Sequence, residues 1–263
     1  LVHTHGHHHG HDVGERLYLH RHSVAHLLPS HLKIVAVLAF ISVSVSTPIT
    51  RWPAFIAFFL LLVATAYASK IPLLLLFKRA LIEIPFIFFA ILMPFFGTGE
   101  KFEIAGIELY REGLLAGTSI VVKGTLGVLA AVILSTTTTA REILRGLERL
   151  KLPAVMVQIA SFMLRYVNVI SDEMERMKVA RESRGFIATG IKHWKVIATS
   201  AAALFIRSYE RGERVHLAML SRGFDGNLPT LVTDTVTKQH WISALSIPLL
   251  ALIFSLLFLV IGW

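Results

Sequence analysis

From residue 241 to residue 261 the chain runs twenty-one residues without a charged side chain. That matches the roughly 20 apolar residues a helix needs to cross the hydrocarbon of a bilayer. Trp241 and Trp263 bracket the run, where amphipathic rings suit the two membrane–water interfaces. Four other apolar runs precede it. The first, about 32–46, is short for a span and must tilt or borrow length from its flanks. Pro29 disfavours helix at Leu28, so a helix is expected to begin near Ser30. The second run covers 53–69, the third 80–96 with Pro85 and Pro94 inside it, and the fourth 113 to about 137. The chain is 54% hydrophobic and only 16% charged, with a mean hydropathy of +0.65, whereas soluble domains carry about 25% charge. The expected fold class is all-α: a polytopic membrane protein with about five transmembrane helices and a pair of long amphipathic helices outside the bilayer.

The charges between these runs set an orientation. Of the 26 lysines and arginines, 22 fall on the side shared by the N-terminus, the 70–79 loop and residues 136–240, and three (Arg51, Lys101, Arg111) on the other. The positive-inside rule places the basic side in the cytoplasm, so a multi-pass protein of the inner (cytoplasmic) cell membrane with a cytoplasmic N-terminus is expected. Two ionisable residues sit within the apolar runs. Glu83 follows Arg79 by four residues, which predicts an i,i+4 ion pair at the membrane edge, with a buried proton or ion site as the alternative. Lys123, near the middle of the fourth run, either faces the protein interior or snorkels. Residues 97–112 read as a polar loop.

After residue 137 the character changes. Thr139-Ala140-Arg141-Glu142 has the form of a capping box, and a helix from there should end before Pro153. Residues 154–184 carry apolar side chains at helical spacing, Val155, Ile159, Phe162, Met163 and Tyr166 among them, and would reach about 46 Å as one helix. Residues 191–222 repeat the plan, with an apolar middle flanked by Lys192, Lys195 and Arg207. That helix is expected to lie along the membrane surface, with spanning as the alternative. Gly212 within it is either a hinge or a tolerated helix glycine.

Both helices close on one phrase. Ala180-Arg181-Glu182-Ser183-Arg184-Gly185-Phe186 and Ala218-Met219-Leu220-Ser221-Arg222-Gly223-Phe224 both read A-x-x-S-R-G-F. Each glycine falls where a helix would stop, because glycine alone takes the left-handed backbone there without steric penalty. Each arginine then lies in the last turn, favoured by the negative end of the helix dipole. Arginine makes charge-assisted, often bidentate bonds to carboxylates, so two such ends suit two similar acidic grooves, hence a dimeric partner. The chain has no phosphate-binding G-x-x-x-x-G-K-S/T and no nucleophile with partners at readable spacing, and without cysteine it has no disulfide or thiolate site. It is expected to be no enzyme.

Ten of the thirteen histidines lie in the first 31 residues. His3, His5, His7, His8, His9 and His11 form a His/Gly tract that would bind Co²⁺, Ni²⁺, Cu²⁺ or Zn²⁺ weakly, either incidentally or as a collector. The tract lacks the charged-then-apolar plan of a cleavable signal peptide, so none is expected. Four regions follow: a His-rich cytoplasmic tail (1–31), a four-helix transmembrane region (32–137), a cytoplasmic helical coupling region (138–239) and a final transmembrane helix (240–263).

The twin phrases, the entry sequence Ser23, His26, Pro29, Lys33, and the order of four spans, helical region and last span resemble the transmembrane (T) component of energy-coupling factor transporters. The likeness runs from about residue 23 to 263, and the His-rich front suits its cobalt or nickel (CbiQ-type) branch. In that family two coupling helices end in Ala-Arg-Gly-type triplets that dock into two ABC ATPase subunits, and the same chain holds a small membrane subunit that captures the substrate. The resemblance implies that role for Ser183, Arg184, Gly185, Ser221, Arg222 and Gly223, with serine replacing the family's alanine. It implies a lipid bilayer as surroundings, no nucleic acid, no cofactor in this chain, and ATP with Mg²⁺ on the partners. The rival readings are a stand-alone metal permease working through Glu83 and Lys123, a membrane scaffold without transport, and a T component serving a vitamin.

Overall fold

The computed structural model describes residues 28–96, 101–104, 107–186, 193–226 and 236–260. The order is α1 (Ser30–Ser46), α2 (Trp52–Ala68), α3 (Leu73–Ala80), a 3-10 turn (Leu81–Glu83), α4 (Ile84–Phe96), β1 (Lys101–Ile104), β2 (Ile107–Tyr110), α5 (Arg111–Thr137), α6 (Ala140–Arg149), α7 (Ala154–Glu182), α8 (Trp194–Leu220) and α9 (Lys238–Val260). Two compact units result: α7 and α8 belong to one, and α1 to α5, most of α6, and α9 to the other.

Three helices, α5, α7 and α9, are long and apolar enough to cross a membrane by length and composition, while α1 and α2 are apolar but have 17 residues each. Two expectations change. The third run is not one helix but α3, a 3-10 turn and α4. Pro85 has no N–H to give to the carbonyl of Leu81, and its ring crowds that carbonyl, so the helix resets there with proline in the first turn, where no donor is needed. Part of the expected 70–79 loop thereby becomes helix. The expected loop at 97–112 holds an antiparallel hairpin instead, with Lys101 opposite Tyr110 and Ile104 opposite Ile107. Its sequence signal is Phe102, Ile104, Ile107 and Leu109 alternating with polar residues about a two-residue connection.

In the larger unit α5 is the spine, packed by α1, α2, α3 and α4, while α9 packs against α1 and α2. The core joins Phe40, Phe55, Phe58 and Leu62 to Leu126, Leu129 and Ile133. Phe58 is fully buried, with edge-on aromatic contacts to Phe40 and Phe55 at centroid distances of 6.0 and 5.7 Å, a preferred geometry for aromatic quadrupoles. Outward the chain shows Phe86, Phe88, Phe89, Ile91 and Phe96, each more than 60% exposed, an apolar surface suited to lipid rather than water.

Lipid tails are as apolar as leucine, so close van der Waals contact and hydrogen bonds must hold such helices together. Here α5 presents Gly113, Gly117 and Gly124 to what packs on it. A Cβ at Gly113 or Gly117 would strike the carbonyl oxygen of Met93 or Ala90 on α4, and one at Gly124 would strike Glu83. Two lysines then tie α1 to α5 at both ends. Lys33 Nζ donates to the carbonyl of Thr137, the last residue of α5, at 3.0 Å. Lys123 Nζ donates to the carbonyl of Val45, in the last turn of α1, at 2.7 Å. Each cation meets carbonyls left without an intrahelical donor, at the negative end of a helix dipole. Lys123 therefore faces the protein.

Glu83 does not form the expected ion pair with Arg79. The 3-10 turn swings its carboxylate into the bundle, 3% exposed. There Oε2 accepts from Thr125 Oγ1 at 2.8 Å, a hydroxyl whose single proton is shared with the Val121 carbonyl at 2.7 Å.

Gly117→Leu is expected to push α4 off α5 and destabilise the fold by roughly 1–3 kcal/mol, read as an earlier thermal unfolding transition in detergent. Gly127→Leu, at a position where an added Cβ meets nothing within 4 Å, should leave that transition nearly unchanged.

Candidate functional site: two matched helix caps

The paired phrase folds twice into the same motif. Gly185 has φ +75° and Gly223 φ +81°, the left-handed conformation expected of a glycine just past a helix end. Phe186 N–H donates to Arg181 O at 3.1 Å and Gly185 N–H to Glu182 O at 2.9 Å; in the second copy Phe224 N–H donates to Met219 O at 3.1 Å and Gly223 N–H to Leu220 O at 3.0 Å. This is the 6→1 and 5→2 pair of the Schellman motif. In both caps, arginine occupies the final half-helical position and is exposed. Neither Arg184 nor Arg222 has an acidic partner among the described residues.

The serines explain how this triplet can stand for one with alanine. Ser183 Oγ donates to the Ala180 carbonyl at 3.1 Å and Ser221 Oγ to the Leu217 carbonyl at 2.9 Å. Each hydroxyl is turned back on its own helix and leaves the arginine as the polar feature facing outward.

The two caps lie at opposite ends of an antiparallel pair. Arg207 in the middle of α8 meets Glu173 of α7 at 2.6 Å, and Gln158, near the start of α7, donates to the carbonyl of Gly226 beyond the second cap. At about 1.5 Å per residue, Arg184 lies about 16 Å from the Glu173–Arg207 junction in one direction and Arg222 about 22 Å in the other, a separation of roughly 40 Å. Arg176 also reaches Glu173, at 2.9 Å. Glu173 lies beyond the apolar part of α7, and the hydrogen bonds from Arg176 and then Arg207 hold its carboxyl below the usual range. Both arginines face solvent, where ion pairs contribute little, so the junction fixes register more than it stabilises. Gly212 sits in unbroken helix, with nothing within 4 Å of an added Cβ, which fits a tolerated glycine better than a hinge.

The capping box at the head of α6 forms as expected, with Thr139 N–H to Glu142 Oε2 at 2.8 Å and Glu142 N–H to Thr139 Oγ1 at 3.3 Å. Sequence reasoning missed the Glu173–Arg207 junction, which joins residues 34 apart and leaves no local signal. His3, His5, His7, His8, His9 and His11 lie outside the described residues, as do Ser23 and His26. Among the described residues no three His, Cys, Asp or Glu side chains could share a metal ion.

Fold and site together define a helical membrane protein with two matched arginine-bearing caps on its α7–α8 unit. The chain belongs to the CbiQ family: the model described as cobalt transport protein matches residues 21–231. It is 35% identical to an uncharacterised protein of Methanocaldococcus jannaschii over 52% of this chain and 53% of that protein. It is 29% identical to the cobalt transport protein CbiQ of Rhodobacter capsulatus over 49% of this chain and 52% of that one. An energy-coupling factor transporter transmembrane protein, EcfT, of Listeria innocua is 26% identical over 80% of this chain and 83% of its own length. The chain thus spans about half the length of the first two of these relatives and most of the third. It is a membrane component of the transport type.

Two outcomes are expected. Gly185→Ala or Gly223→Ala places a Cβ at positive φ at a cost of roughly 1–2 kcal/mol, seen as faster hydrogen exchange at the Phe186 or Phe224 amide, with Asn milder than Ala. For the junction, a depressed folded pKa means that the Glu173 contribution is complete above the ordinary carboxylate pKa and lost as pH falls through the folded value. Glu173→Gln should therefore give at neutral pH the loosened α7–α8 pairing that the parent shows only in acid, measured by crosslinking cysteines placed at Ile170 and Ser208.

Proposed function

We propose that this chain is the membrane-embedded coupling subunit of an ATP-driven uptake transporter for a metal ion, cobalt or nickel. In this reading α1, α2, the α3–α4 pair, α5 and α9 supply five passes through the inner membrane, with the N-terminus and the α7–α8 unit in the cytoplasm. Arg184 and Arg222 each enter an acidic groove on one of two ABC ATPase subunits, with Ser183, Gly185, Ser221 and Gly223 shaping the two ends. A small membrane subunit that captures the substrate binds the same chain. ATP and Mg²⁺ are bound and used by the partners, and this chain hydrolyses nothing. The His-rich start is an auxiliary collector of metal.

The observation that carries the reading is the duplicate Schellman cap with, in each copy, an exposed arginine that has no acidic partner among the described residues. A lone arginine near a helix end is an ordinary stop. Two superposable ones about 40 Å apart suit two equivalent sockets, as an ATPase dimer offers. Closing of the ATPases on ATP would move both ends, and α7 and α8, each an unbroken helix, would carry that motion as stiff levers. The large apolar side chains they leave exposed, Met163 and Phe205 among them, give the substrate-capturing subunit a surface to hold. A permease path through Glu83 and Lys123 is the weaker reading, since Lys123 is bonded to the Val45 carbonyl and Glu83 Oε2 to Thr125, with only Glu83 Oε1 buried without a partner. The EcfT relative, similar over 80% of this chain, keeps one second reading in view: the same coupling role with a substrate other than a metal, such as a vitamin.

Co-expression of the chain with its two ATPases and capture subunit tests this. Arg184→Glu with Arg222→Glu should abolish ATPase co-purification and ATP-dependent ⁵⁷Co²⁺ or ⁶³Ni²⁺ uptake, each single change lowering capture at least tenfold. Unchanged capture by the double variant would remove the reading.

A further inference from the structure

On the Arg184 side of the Glu173–Arg207 junction, α7 and α8 diverge around a groove of about 620 Å³. Arg176, Arg181, Arg184 and Arg207 line it, and Glu173 is the one acid in the lining. That carboxylate already serves two guanidiniums, those of Arg176 and Arg207. Arg181 and Arg184 have no acidic partner among the described residues. The α8 wall offers no neutralisation, because residues 193–207 contain His193, Lys195 and Arg207 but no Asp or Glu. The groove is therefore several positive charges in excess, and it is not wholly polar: Met177, Val196 and Ala203 also line it. Beside it α8 opens with Trp194, 70% exposed, the residue that settles at membrane–water interfaces.

Guanidiniums over an apolar floor fit a ligand that is anionic at one end and apolar at the other. We propose that this groove holds the headgroup of an anionic phospholipid. Its phosphate is bound by Arg176 and Arg181, and the start of its acyl chains lies on Met177 and Val196. The assignment rests on the proposed coupling role, with α8 lying along the cytoplasmic membrane surface. It adds a second task to the first cap: the groove shares Arg184, so lipid and ATPase would meet at one helix end.

The test is native mass spectrometry of the full chain in detergent, titrated with phosphatidylglycerol, with phosphatidylcholine, and with inorganic phosphate. One phosphatidylglycerol should bind the wild type in preference to phosphatidylcholine. Arg176→Gln with Arg181→Gln should weaken it about tenfold or more, as expected for two cations close to a lipid surface. Lys178→Gln with Lys195→Gln removes the same charge from the same helices outside the groove and should leave binding unchanged, and both variants should keep wild-type helicity. Equal binding by wild type and the groove variant would overturn the proposal, as would equal losses in both variants. Free phosphate displacing the lipid at matched concentration would reduce the site to an anion site and also overturn it, as would a polyglutamate peptide that binds where phosphatidylglycerol does not. ATPase capture, followed in parallel, separates this proposal from the docking reading. Loss of lipid with capture intact leaves docking standing, and lipid binding beside failed capture by the wild type strikes docking alone.

Discussion

What the α7–α8 unit can do depends on where its two helices stop, and a single backbone conformation decides that. At φ near +75° to +81° an L side chain is strained and glycine is not, so Gly185 and Gly223 end α7 and α8 at set points. The turn back through Phe186 and Phe224 satisfies the last carbonyls, and the arginine just before each glycine is left projecting. A neighbouring serine could compete for a partner outside, but its hydroxyl is bonded to its own helix. The arrangement leaves one strong donor group per end, with no acidic partner for it among the described residues.

The unit built around α5 meets a different constraint. Its helices gain little from hiding apolar surface, because their alternative surroundings are equally apolar, so contact geometry and polar ties decide the packing. That accounts for the glycine face of α5, which lets the backbone of α4 come close, and for Lys33 and Lys123, which tie the two ends of α1 to α5 through helix-end carbonyls. It also accounts for Glu83. A carboxylate in this setting needs hydrogen bonds, and the turn enforced by Pro85 brings it to Thr125, over a glycine that leaves room.

Local signals in the sequence translated well. The two caps, the capping box at Thr139 and Glu142, and the start of α1 at Ser30 each depend on a few adjacent residues whose backbone preferences act alone. Contacts between distant segments did not translate. Arg79 lies one helical turn before Glu83, which argued for an ion pair, but the helix does not continue across those four residues, so the i,i+4 geometry never arises. Lys123 was ambiguous because only the partner helix shows which side of α5 is covered. Gly113 and Gly117, with i,i+4 spacing, were readable as a close-approach motif, and the alternation in 101–110 as a hairpin. The charged residues around that hairpin suggested a plain loop at 97–112 instead.

Because the chain contains no cysteine, one can be placed at each cap without background. A variant with Ser183→Cys and Ser221→Cys, assembled with the ATPases and treated with a short bifunctional thiol-to-amine reagent, should give one covalent species of this chain joined to two ATPase copies. Each single-cysteine variant should give one copy. If neither cysteine captures an ATPase, or if both attach only to a single copy, then the matched caps are not the two contacts through which this subunit is driven.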